Sequence, residues 1–173
     1  EISLPMNGQR LISGKRDDPL MSMRGLLSNF TDLITIDRPI AIDLEPTRVL
    51  QSDQRRPVLF TDLNGGKAAG NLWSERGRVA KALGLEKEKL TPALVNALSH
   101  PRKPRQVEEG EWRDNVQDSF DLLRLPIPKY FPKDGGRYVT AGVAVAEFEG
   151  KRNISFHRLM LLGKDRFAIR LVP

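Results

Sequence analysis

The chain has 173 residues, 39% apolar and 29% charged, which is enough for one large domain or two small ones around a packed core and excludes a disordered chain. It contains no cysteine, which removes disulfides, zinc-thiolate centres and thiol nucleophiles together, and no run approaches the ~18 apolar residues of a membrane-spanning helix. The net charge of +6 favours anionic partners, whether nucleic acid, phosphate-bearing cofactors or carboxylate substrates, without choosing among them. With no cysteine and no visible secretory signal, the expected compartment is the cytoplasm.

Residues 1–20 are polar, rich in Gly and charge, and lack periodicity, so they read as an irregular lead-in. Ser22 is placed to cap a short helix through Phe30, with Met23, Leu26, Leu27 and Phe30 at i, i+3, i+4 and i+7. Leu33 to Ile36 has strand composition and is expected to close at Asp37-Arg38-Pro39. Arg56 to Leu63 is a run of β-formers ending in Asn64-Gly65-Gly66, a hairpin signal, with Lys67 to Trp73 as the second strand. Ser74 is then expected to cap a helix to Leu83 that stops at Gly84. Thr91-Pro92 supplies an N-cap and N1 pair for a helix through Leu98, ended at Pro101.

Residues 101–110 are polar and broken by proline, as linkers are. Beyond them the texture changes. Leu125-Pro126-Ile127-Pro128 and Pro132 to Gly136 lead into three strand-like runs, Arg137–Phe148, Asn153–Leu162 and Arg166–Val172, separated by turns at Glu149–Arg152 and Gly163-Lys164-Asp165. The fold class is therefore α+β, a small α/β region followed by the opening strands of an antiparallel sheet or barrel. The third strand ends with the sequence, and the chain is expected to be a part of a longer protein.

Candidate chemistry concentrates near the end. Pro-Arg-Lys-Pro-Arg at 101–105 could be a nucleic-acid arm through Arg102, Lys103 and Arg105, but it has acidic neighbours and no aromatics for base stacking, so a solvated linker is favoured. Asn64-Gly65-Gly66-Lys67 lacks the spacing of a phosphate loop and is read as a turn. Asp134-Gly135-Gly136, followed by Thr140, either brings backbone close to a ligand or simply starts a strand. In Asn153-Ile154-Ser155-Phe156-His157-Arg158, period-2 alternation puts Asn153, Ser155 and His157 on one face and Ile154, Phe156 and Arg158 on the other. The first row suits phosphate or a hard cation. The second sets a guanidinium among apolar neighbours, where a carboxylate is its natural guest. A solvent-facing polar row fits the same pattern equally well.

Taken in order, Leu125-Pro126-Ile127-Pro128, Asp134-Gly135-Gly136-Arg137-Tyr138-Val139-Thr140 and Asn153-x-Ser155-x-x-Arg158 resemble the UbiD-like decarboxylases. Pro57 to Phe60, Asn71-Leu72-Trp73 and Arg78 to Leu85 are similar to that family's N-terminal region, so the likeness spans about residues 23–173. The resemblance implies an N-terminal α/β region at 21–105, a linker at 106–124, and at 125–173 the first strands of a split antiparallel β-barrel that binds flavin. It implies reversible non-oxidative decarboxylation of an aromatic or α,β-unsaturated carboxylic acid with prenylated FMN, which provides the electron sink, and a divalent Mn²⁺ or Mg²⁺, commonly with K⁺.

On the same resemblance Asn153 matches a metal-ligating asparagine. Ser155, Phe156 and His157 line the cofactor, partly through backbone groups, and Arg158 is the catalytic arginine of a Glu-Arg-Glu network. Thr140 lies near cofactor or substrate. The remaining metal ligands and both glutamates fall beyond the position of Pro173, so these 173 residues alone are expected to be inactive. A flavin prenyltransferase would supply the cofactor, and a C-terminal domain would form a homo-oligomer. His157 departs from the small or aromatic residue of several relatives, which either tunes substrate choice or sets the chain in an archaeal-like branch acting on an isoprenoid-precursor acid. The alternatives are a non-catalytic flavin- or phosphate-binding subunit of a split enzyme and a basic nucleic-acid-binding domain.

Overall fold

The computed structural model describes residues 22–103, 108, 110, 113–114 and 116–170. The chain divides into two compact units. One combines Glu1–Ile34, Gln54–Val58 and Ala69–Gln106; the other combines Thr35–Asp53, Leu59–Ala68 and Val107–Pro173. Helices and sheets are mixed, as the α+β reading required.

The first unit is helical. Helix α1 (Met23–Ser28) is capped as expected, with the Ser22 hydroxyl accepting from Gly25 N at 3.0 Å. Helix α3 (Arg76–Ala82) does not use Ser74 as its cap: the N-cap is Glu75, and the Ser74 hydroxyl instead donates to the carbonyl of Arg55 at 2.6 Å. Gly84, at φ +67, ends this helix where a side chain would be strained. Helix α4 (Leu90–Ser99) starts before Thr91, because a one-turn 3-10 helix (Lys87–Lys89) feeds it and buried Leu90 ties the junction down. Thr91 lies inside the helix and accepts a hydrogen bond from Arg76 instead of capping.

Arg78 holds this unit together. Its guanidinium makes a forked pair with Asp32 at 2.9 and 2.7 Å, donates to the Arg55 carbonyl at 3.1 Å, and lies 5.4 Å from the Phe30 ring centre. One side chain thereby ties α3 to two segments distant in sequence.

In the second unit, strands β1 (Ile34–Ile40), β2 (Val58–Leu63) and β3 (Gly66–Gly70) form a sheet in that order, each with its greater part in this unit. Asn64 and Gly65 both have positive φ, the two-residue turn that matches strand twist, so the Asn-Gly signal is a hairpin and not a phosphate loop. Phe60 and Leu63 are fully buried. Strand β1 runs through Asp37-Arg38-Pro39 instead of closing there; it is an edge strand, where a proline's missing N–H costs no ladder bond. β3 is shorter than expected and stops before Asn71, which has φ +54. Helix α2 (Glu45–Ser52) has no counterpart in the sequence reading.

The second sheet carries the segment of interest. β4 (Tyr138–Phe148) and β5 (Lys151–Leu161) form a long antiparallel hairpin, and the short β6 (Phe167–Ile169) pairs with Leu159–Leu161 of β5. β5 starts two residues earlier than expected, because Glu149 and Gly150, at φ +50 and +71, make another two-residue turn. β6 is shorter than the Arg166–Val172 run, whose last two residues lie outside the described ones.

Arg137 fixes the base of this hairpin. It donates to the carbonyls of Ile127 and Leu125, both at 2.6 Å, and of Leu123 at 3.1 Å, while its own carbonyl accepts from Leu161 N at 2.9 Å. Burial pulls its pKa below the ordinary arginine value, partly offset by Asp43, yet an arginine stays charged. Lys129 completes the anchor through a parallel bridge to Asp43.

Two tests follow from these arginines. Arg137→Met leaves three carbonyls without a charged donor and is expected to cost about 2–4 kcal/mol in urea denaturation. The Arg78 fork holds the Asp32 carboxyl below its ordinary value. A depressed folded pKa gives stability that is complete above the unfolded value, about 3.9, and is lost as pH falls through the folded one. Because Asp32 is 40% exposed, the contribution is about 1 kcal/mol or less. Asp32→Asn should lose it at neutral pH and flatten the acid limb of a pH–stability curve; an unchanged acid limb would show that the pair contributes nothing.

Candidate functional site

The register of the hairpin decides which side chains meet. Asn153 lies opposite Ala146, Ser155 opposite Ala144, and His157 opposite Gly142. The polar row therefore faces residues of β4 with one methyl group or none. Ser155 Oγ and His157 Nε2 are 2.7 Å apart, so these two side chains share a face as the alternation required. At Gly142 an added Cβ would come within 2.8 Å of Leu159 Cδ1 and 3.3 Å of the His157 carbonyl oxygen. A side chain there would press first on the Leu159 side chain and then on the His157 backbone.

The other face carries Val143 opposite Phe156, Val145 opposite Ile154, and Glu147 opposite Arg152. These apolar side chains are exposed, from 59% for Val143 to 77% for Phe156. The Phe156 side chain thus lies across the strand from Ser155 and His157, and only its backbone borders the polar row. Arg152 and Glu147 form an exposed ion pair at 3.0 Å.

Arg158 also lies on this second face. It is exposed, and its guanidinium carbon is 5.9 Å from the centre of the Tyr138 ring. The apolar neighbours do not bury it, so the cost of a desolvated charge does not arise among these residues. No carboxylate of the described residues pairs with it. The ladder shifts between Val139 and Gly142, so Thr140 and Ala141 together oppose Arg158 in a β-bulge. Thr140, exposed, is therefore brought beside Arg158.

The Asp134-Gly135-Gly136 stretch is a turn before β4. Asp134 accepts from Phe131 N at 2.9 Å, and both glycines pack on Met160, where a Cβ would stand 3.4 and 3.6 Å from its side chain. Tyr138 and Arg137 were absent from the sequence-level site. Their signal was in the motif, but which side chain each would touch depended on the bulge and on the Leu123–Ile127 carbonyls.

Asn153, Ser155 and His157 present a carboxamide, a hydroxyl and an imidazole along one face of β5. The metal set is less complete. Among the described residues no three His, Cys, Asp or Glu side chains cluster to hold an ion, so Asn153 offers a single carboxamide oxygen. A separate open concavity of about 500 Å³ is lined by Asn64, Gly65, Gln117, Phe120, Leu123 and Arg124, none of them a sequence-predicted site residue. Arg102 and Lys103 are exposed, and Arg105 lies outside the described residues. No helix among the described residues is long and apolar enough to cross a membrane.

Comparison with known proteins bears on the same two regions. Residues 25–98 match the 3-octaprenyl-4-hydroxybenzoate carboxy-lyase N-terminal domain, and residues 104–173 match the 3-octaprenyl-4-hydroxybenzoate carboxy-lyase Rift-related domain. The anhydromevalonate phosphate decarboxylase of Methanosarcina mazei is 38% identical over 149 residues, 86% of this chain and 35% of that protein. That of Archaeoglobus fulgidus is 34% identical over 161 residues, 84% of this chain and 35% of that protein. The UbiD-class enzyme HmfF of Pelotomaculum thermopropionicum, in an evolved dimeric form in complex with prFMN, superposes with a TM-score of 0.72 at 27% identity, covering 82% of this chain and 35% of that one. The chain thus spans about a third of the length of these relatives. Two adjacent domain matches in family order, with the hairpin and its motifs between Leu125 and Arg158, place this chain in the UbiD family.

Proposed function

We propose that the protein to which this chain belongs is a prenylated-FMN-dependent decarboxylase, a carboxy-lyase acting on a small carboxylic acid. The observation that carries the reading is the β4–β5 hairpin, which sets a polar row on one face and an arginine without a carboxylate partner among the described residues on the other. Within this reading, residues 21–105 are the N-terminal α/β region, 106–124 a linker, and 125–173 the incomplete flavin domain.

The flavin, when bound, supplies an electron sink for the pair left behind by CO₂. The chain's own residues bind and orient. Asn153 would offer its carboxamide oxygen to a divalent metal, Mn²⁺ or Mg²⁺, which would supply charge neutralisation, and the other metal donors and a K⁺ site would come from residues outside those described. Ser155 and His157 border the cofactor from the row, Phe156 through its backbone. Arg158 receives the substrate carboxylate in its fork, with Thr140 beside it. A glutamate from outside these residues delivers the replacing proton.

The relatives' names narrow the acid. The relatives of Methanosarcina mazei and Archaeoglobus fulgidus are anhydromevalonate phosphate decarboxylases, which supports an α,β-unsaturated acid bearing a phosphate over an aromatic one. The net charge of +6 supports a substrate with two anionic ends. A cytoplasmic enzyme supplied by a flavin prenyltransferase and oligomerised through its C-terminal domain completes the reading.

The test uses the full-length protein loaded with prenylated FMN and Mn²⁺. Turnover of anhydromevalonate phosphate with release of CO₂, and little with benzoate-type acids, is expected. Arg158→Lys should lower kcat/KM by about 100-fold or more, because an ammonium cannot reproduce the two-pronged carboxylate contact. Failure to bind the flavin would overturn the function. Efficient turnover of aromatic acids alone would overturn the substrate class.

A further inference from the structure

We infer that His157 is a positioning residue for the Ser155 hydroxyl, which it turns into a donor toward the phosphate of the flavin, an inference that rests on the flavin reading proposed above. The observation is the 2.7 Å contact between His157 Nε2 and Ser155 Oγ. A serine hydroxyl has one proton to give and lone pairs to receive with, whereas an imidazole nitrogen gives or receives according to whether it carries a proton. The contact therefore has two forms of opposite meaning. With a bare Nε2, the hydroxyl spends its proton on the ring and offers only lone pairs to a ligand. With a proton on Nε2, the ring donates to Oγ, and the hydroxyl proton is left for an acceptor. An ionised phosphate oxygen accepts and does not donate, so it selects the second form. Each bond in such a chain polarises the next, which strengthens the outer one.

The strand explains why the ring reaches the hydroxyl. Ser155 and His157 are both partly buried, and they pair with Ala144 and Gly142, neither of which has a side chain able to hydrogen-bond across the ladder. Leu159, next in the row, occupies the space over Gly142, where an added Cβ would stand 2.8 Å from Leu159 Cδ1. The imidazole instead lies along β5, toward Ser155. Residues two apart on one face of a strand are separated by roughly 7 Å, a gap that a long side chain closes and a small one does not. The same face of β5 begins with Lys151, opposite Phe148, and continues through Asn153. A cation and two hydrogen-bonding side chains thus precede the imidazole in one row, which suits an anion lying along it.

The test compares FMN with riboflavin, which differ only in the phosphate, by fluorescence titration of the full-length protein purified without flavin and supplied with Mn²⁺. Wild type should bind FMN more tightly than riboflavin. Ser155→Ala and His157→Met, each with wild-type circular dichroism, should weaken FMN about 10-fold and riboflavin less than about 2-fold. The double variant should lose no more than Ser155→Ala alone, because His157 acts only through that hydroxyl. His157→Gln, whose amide N–H can stand in for Nε2–H, should recover most of the FMN affinity. If wild type binds neither these flavins nor prenylated FMN, the flavin reading itself fails. The positioning role of His157 is overturned, with the flavin reading intact, if wild type binds FMN and riboflavin equally. It is overturned too if either single variant keeps the full preference for FMN or loses both flavins alike, if the two losses add in the double variant, or if Gln behaves as Met does.

Discussion

Everything at the candidate site depends on the register between β4 and β5. Side chains on a strand alternate with a period of two, so a slip by one residue would move Asn153, Ser155 and His157 to the opposite face and take Arg158 away from Tyr138. Burial normally enforces register by demanding that one face be apolar. It does little here, since Ile154, Phe156, Val143 and Val145 are exposed within this chain. Turn geometry does more. Glu149 and Gly150 both adopt positive φ, which fixes a two-residue connection and therefore sets Phe148 opposite Lys151 and every pair up to the bulge. Beyond the bulge the count changes by one, and Val139 meets Leu159.

The open end of the hairpin needs a second anchor, and Arg137 supplies it. Its side chain gathers carbonyls from Leu123, Leu125 and Ile127, groups that a proline-broken segment cannot satisfy by forming a strand. The Leu-Pro-Ile-Pro stretch is thus valuable as a set of free acceptors in fixed extended geometry, and Pro126 also packs on Gly66, where a Cβ would sit 3.2 Å from its ring. Motifs that carry a family resemblance need not touch a ligand. Here two of them hold the base of β4.

Much of this was legible in the sequence. Hairpin turns were, because Asn64-Gly65 and the Glu149-Gly150 region combine turn residues with flanking β-formers. So was the two-faced character of β5, because alternation needs no tertiary information. Helix α2 was not: its N-cap is Leu44, in the left-handed region at φ +66, and no residue-level rule selects a leucine for that place. Its start is held by Glu45, whose carboxylate accepts from Ala41 N at 2.7 Å and pairs with Arg38, and both contacts depress its pKa. The Ser74 cap failed for a related reason, since a distant carbonyl of Arg55 competed for its hydroxyl. At the site, the residue types were readable but not the partnership of Tyr138 with Arg158, which depends on where the bulge falls.

Three arginines show how neighbours turn one side chain to different ends. Arg78, 13% exposed, is neutralised by Asp32 and lies over Phe30, so both its charge and its stem are used within the fold. Arg137 spends its donors on carbonyls, which satisfies its geometry but leaves its charge only partly compensated by Asp43. Arg158 has the third arrangement: an aromatic face below it and every donor of the fork without a partner among the described residues. Only the third sets a guanidinium beside an aromatic ring with its hydrogen-bonding capacity unused among the described residues. The same side chain thus meets a carboxylate, a set of carbonyls or a ring according to what its neighbours present.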